Sequence, residues 1–67
     1  MSDAARIYVE LGEAGAQQYA VLIKEESYLL DKLNHHRELD TFQLEKLSRV
    51  QSEIYQLKQD AGIVSSR

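Results

Sequence analysis

Apolar and small residues recur along two stretches of this chain at alternating steps of four and three, the spacing of a heptad seam. The first stretch carries Tyr8, Gly12, Gly15, Tyr19, Leu22, Glu26, Leu29 and Leu33; the second carries Leu47, Val50, Ile54, Leu57, Ala61 and Val64. Two helices joined by one turn are predicted, packed antiparallel along these seams. A single register then sets Leu29 against Leu47, Leu22 against Ile54, Tyr19 against Leu57 and Gly15 against Ala61. The fold class that follows is all-α: an antiparallel helical hairpin in one domain spanning 1–67, assembling into a helical bundle with itself or with a partner.

Local signals place the boundaries. Asp40 reads as an N-cap, Gln43 three residues on completes a capping box, and Leu39 and Leu44 stand where a hydrophobic staple would form. Gly62 follows the last seam turn as a C-terminal glycine, with Ile63 placed to fold back as in a Schellman ending. The second helix is therefore expected over about 41–61, with a frayed tail at 62–67. The first helix runs from about 4 to 33, closed by Asn34 and by the positive charge of His35, His36 and Arg37, and the turn occupies 34–40. Gly12 and Gly15 each cost roughly 1 kcal/mol relative to alanine in a helix, so a kink or break is expected near them.

The apolar pattern exceeds what two rods can cover. As one continuous rod the first helix would rise ~45 Å against ~31 Å for the second, leaving Ile7, Tyr8, Val9 and Leu11 in an overhang. These residues are expected to bend back, dimerise or dock on another protein. Beside the seam, Val9, Ala16, Ile23 and Leu30 recur every seven residues and make a flank continuous with Leu44. Each isobutyl-sized side chain left in water forgoes about 1.5–3 kcal/mol, a large amount for a chain of this size. Leu11, Ile23, Leu30 and Leu44 are accordingly the expected partner face, and the off-seam Tyr28 and Tyr55 are candidate interface anchors. Glu26 falls on the seam opposite Val50, where its carboxylate must reach water or meet a base.

Composition narrows the function further. The chain has 67 residues, no cysteine, and eleven acidic against eight basic side chains. Disulfides, thiolate metal sites and a cysteine nucleophile are thereby excluded. The net charge of −3 argues against binding to a phosphate backbone as the main role. No apolar run approaches the ~20 residues of a membrane span, and Met1, Ser2 and Asp3 do not open a signal peptide, so a cytoplasmic protein is expected. His35 and His36 are adjacent rather than one helical turn apart, as metal ligation on a helix requires. Ser48 and Ser52 have no histidine within a turn, and the glycine pair follows no strand and precedes no lysine-serine pair. Neither an enzyme nor a metal or cofactor is expected.

Three families share this layout. Leu29-Leu30-Asp31-Lys32-Leu33-Asn34, followed by Glu38-Leu39-Asp40, resembles the turn region of the plasmid-encoded Rop hairpin, which forms a dimeric four-helix bundle and binds paired RNA loops. The helical-hairpin phosphatases of sporulation response regulators are similar in size, but their Ser-Gln-Glu-Leu-Asp signature is replaced here by Gln51-Ser52-Glu53-Ile54-Tyr55. Small co-chaperones of type III secretion needle subunits are similar in length and hairpin plan, a likeness of architecture alone. The expected function is a non-catalytic protein–protein interaction module, an adaptor, co-chaperone or regulator with a protein partner or a second copy. The alternatives are a homodimeric RNA-binding regulator of the Rop type and a small hairpin regulator of a signalling protein.

Overall fold

A computed structural model of the chain describes residues 2–35 and 38–63; His36, Arg37 and the tail from Val64 onward, which entered the expectations above, lie outside the described residues. Two helices, α1 (Asp3–Asn34) and α2 (Thr41–Asp60), pack against each other as a hairpin. The local signals of α2 operate as the sequence indicates. Asp40 Oδ1 accepts from the Gln43 N–H at 2.7 Å, while Gln43 Oε1 accepts from the Asp40 N–H at 3.4 Å, so two backbone donors that the helix leaves orphaned are satisfied reciprocally. At the other end Gly62 turns to φ 73°. Its N–H donates to the Gln59 carbonyl at 3.0 Å, and the Ile63 N–H reaches the Lys58 carbonyl at 2.8 Å, the paired bonds of a Schellman ending. Asp40→Ala is expected to lower stability by about 1 kcal/mol, and Asp40→Asn by clearly less, as read from urea midpoints.

α1 starts at Ser2, whose Oγ accepts from the Ala5 N–H at 3.2 Å, and it breaks at Gly12, where φ is 81° and ψ −172°. That backbone conformation is open in practice only to glycine. The break divides α1 into an arm, residues 3–11, and a stem, residues 13–34. A straight helix of 32 residues would reach ~48 Å, yet the longest dimension of the molecule is 37 Å. The arm has folded back.

Ile7 is fully buried in consequence, packed with Tyr19, Leu22, Val50, Ile54, Leu57 and Ala61, with Leu11, Ile23 and Ile63 packed against this cluster. Of the outcomes expected for the amino-terminal overhang, bending back is the one found. One assignment changes with it, since Tyr8 is not a seam residue: it is 57% exposed, whereas its neighbour Ile7 has taken the inward place. The reason is that Gly12 interrupts helical phase, so the heptad spacing carried through it no longer assigns faces in the arm. Burial of Ile7, about 1.5–3 kcal/mol, offsets the helical hydrogen bonding given up at the break. An ion pair between Asp3 and Lys58 at 3.5 Å joins the arm to α2, a partly exposed contact of small energetic value.

The seam register is realised from Tyr19 to Leu29, whereas Leu33, the last seam position of the first helix, lies beyond the packed clusters and is 41% exposed. Leu29 and Leu47 share a second buried cluster with Leu39 near the turn. Leu39 is buried there while Leu44, its expected staple partner, is 50% exposed. Glu26 is only partly buried, and among the described residues no buried side-chain polar atom lacks a hydrogen-bond partner, so the thin interface leaves its carboxylate open to water. Gly15 serves the corner in another way. A Cβ built there would lie 2.5 Å from Leu11 Cβ, which is the base of a side chain and cannot swing away. Gly15→Ala gains about 1 kcal/mol of helix propensity, but overpacking costs typically 1–3 kcal/mol, so a net loss of stability is expected in thermal unfolding.

Candidate functional site

Helical spacing builds one concave surface beside the seam. Val21, Lys24, Glu25 and Tyr28 share a face of the stem, because steps of three, four and seven return to the same side of a helix. Phe42, Gln43 and Lys46 do the same on the first turns of α2. With Asp40 at the rim and Leu29 beneath, they enclose a groove of about 580 Å³ near the turn. Leu29 is 3% exposed and belongs to the turn cluster, so the floor of the groove is the hairpin core itself. Above it Val21 is 57%, Tyr28 63% and Phe42 73% exposed. The groove therefore has an apolar bed, two aromatic walls, and a rim of mixed charge from Lys24, Lys46, Glu25 and Asp40.

The capping box is what aims Phe42. Fixing Asp40 and Gln43 to each other sets the first turn of α2, and Phe42 leaves that turn outward rather than into the core. Tyr28 is held from the other side, with the Lys32 ammonium 5.3 Å from its ring centroid, a cation–π arrangement that favours one orientation of the ring. Both rings are thereby presented outward beside the buried Leu29.

The residues singled out from the sequence are divided by the structure. Tyr28 lines the groove. Leu11 and Ile23 are partly buried and pack on the core cluster from within the chain, which reduces what they can offer another molecule. Leu30 and Leu44 remain exposed, at 37% and 50%. Each stands two residues from a groove aromatic, Leu30 from Tyr28 and Leu44 from Phe42, and hence about 200° around its helix, on the opposite flank. Tyr55, 49% exposed, is not a groove residue. Sequence reasoning passed over Val21 and Phe42. The signal that could have found them is the seven-residue step from Val21 to Tyr28, together with a bulky aromatic two residues after the Asp40 cap, where a small or acidic residue would serve the helix better.

Among the described residues no group of three or more histidine, cysteine, aspartate or glutamate side chains is placed to hold a metal ion. His35 closes the stem: its N–H donates to the Asp31 carbonyl, its ring Nδ1 lies 2.8 Å from the same oxygen and 3.4 Å from the Asp31 carboxylate. That is a capping role. The basic residues of the groove alternate with acids, unlike the continuous basic surface that a phosphate backbone selects. Among the described residues no helix is long and apolar enough to cross a membrane. No family model, curated protein or solved structure matches the chain.

Proposed function

We infer that the chain is a non-catalytic protein-binding module, working in the cytoplasm, whose groove receives an apolar helix of a partner protein with Tyr28 and Phe42 as the anchors. The observation that carries this reading is the pair of exposed aromatic rings over buried Leu29. A soluble chain gains nothing in its own stability from a phenylalanine that is 73% exposed, and aromatic anchors set in apolar depressions dominate the energetics of protein interfaces. The occupant is a helix because a groove between two antiparallel helices accepts a third along the same direction, reading apolar residues at helical spacing. Lys24 and Lys46 opposite Glu25 and Asp40 would then select a partner of matching charge order and fix its register.

Photo-crosslinking in the native cell tests this. A benzoyl-phenylalanine at position 42 is expected to capture one defined protein, with the crosslinked peptide predicted helical and amphipathic. The same probe at Ser52, which is exposed and outside the groove, is expected to capture none of it. Equal capture from both positions would remove the groove from the interface, and capture of a second copy of this chain would make the partner homotypic.

A further inference from the structure

The arm and its seat offer a second interaction surface, independent of the groove. Residues 3–11 and 13–34 are both helical, contain no proline, and are separated by a single non-helical residue, Gly12. One glycine is therefore all that distinguishes the folded-back arm from a continuation of the stem. The seat that receives the arm is specific: it lies between Tyr19 and Leu22 on the stem and Val50, Ile54, Leu57 and Ala61 around α2, and Ile7 fills it with no exposure. Leu11 packs against the edge of the same cluster, and Asp3 meets Lys58 at 3.5 Å.

We propose that this seat is also a binding site for the arm of a second copy, reached when Gly12 becomes helical and α1 straightens, so that two chains exchange arms. Every contact the arm makes at home is available in the other molecule, because the seats are identical. What differs is the hinge: a closed monomer needs the glycine-only conformation at Gly12, whereas an exchanged pair replaces it with ordinary helix. A short hinge between two elements that each continue the other is the arrangement from which exchange of segments arises. A straightened arm projects ~14 Å past the hinge, so it leaves its own seat empty while reaching a neighbour's. A two-fold axis beside Gly12 serves both arms at once.

The test uses the Asp3–Lys58 pair as a reporter. Equal amounts of chain at natural isotope abundance and nitrogen-15-labelled chain are mixed, unfolded, refolded together and treated with a zero-length carbodiimide, which joins a carboxylate to an amine in contact. Peptides linking Asp3 to Lys58 are then read by mass spectrometry. In the wild type, mixed-isotope links are expected after refolding at high protein concentration and to vanish on refolding at high dilution. Gly12→Ala, which removes the glycine-only conformation and favours helix at the hinge, is expected to be a dimer of twice the 7.7 kDa chain. Its dissociation constant should be at least about tenfold lower than that of the wild type, and its links predominantly mixed. Ile7→Asp in that background should return it to monomer. A Gly12→Ala chain that stays monomeric, or a dimer whose Asp3–Lys58 links join residues of one chain only, overturns the proposal. Should Gly12→Ala fail to fold, the wild type decides alone, and links of single isotope at every concentration refute arm exchange.

Discussion

Val50→Asp is expected to abolish the folded state at 25 °C. Val50 is 1% exposed and lies in the core cluster where the arm, the stem and α2 meet. An aspartate there would bury a carboxylate among Ile7, Leu22 and Ile54 with no base in that cluster to receive it. Burying an unpaired charge falls among the few changes that cost more than about 4 kcal/mol, against a total stability of about 3–10 kcal/mol for a chain of this length. Nearly all of the reserve is consumed. The far-ultraviolet circular dichroism of the variant should show the helical signal lost at room temperature, with the cooperative urea transition absent. Ser52→Asp, two residues away on the exposed surface, is the matched control and should leave both unchanged. A Val50→Asp chain with a wild-type urea midpoint would mean that the cluster is not the stabilising centre of the fold.

Phe42→Asp is expected to separate binding from folding more sharply than any other substitution. Truncating an interface anchor costs 2 kcal/mol or more, so affinity for the groove's partner should fall by at least about thirtyfold. Stability should not fall with it. Phe42 gives up little burial, and it lies in the first turn of α2, where a negative charge interacts favourably with the helix dipole by about 0.3–1 kcal/mol. The urea midpoint should therefore stay in place or rise while the partner is lost. Tyr28→Ala should weaken binding in the same direction, also releasing the Lys32 side chain from its ring. Titration of the photo-captured partner against the three proteins, beside their unfolding curves, supplies the measurement. Unchanged affinity in Phe42→Asp would rule out the groove as the binding site.

The hairpin was legible because its determinants are local or periodic. Asp40, Gln43 and Gly62 specify the ends of α2 through bonds to neighbours within a few residues, and the seam from Tyr19 to Leu29 needs only an uninterrupted helix to keep its phase. Glycine is where legibility stopped. A break near Gly12 and Gly15 could be read from helix propensity, but its direction could not, since the torsion at one residue decides whether Ile7 or Tyr8 turns inward. Ile23 shows the consequence: its seven-residue spacing from Leu30 marks an outer flank, yet it packs against the cluster that Ile7 completes. Leu22→Asp and Ile23→Asp should thus differ in degree of destabilisation rather than in kind. The groove was half legible, Tyr28 by its position off the seam and Phe42 not at all, because its exposure depends on how the turn presents the first residues of α2.

The separate cluster of Leu29, Leu39 and Leu47 bears on the order in which the molecule assembles. Leu29 and Leu47 are about 18 residues apart along the chain, whereas Ile7 and Ala61 are about 54 apart, and closing the longer span costs about 1 kcal/mol more in loop entropy. The turn is thus the place where the two rods first find each other. Once those leucines zip, alignment propagates outward along the two rods to the distant cluster where α2 meets the arm.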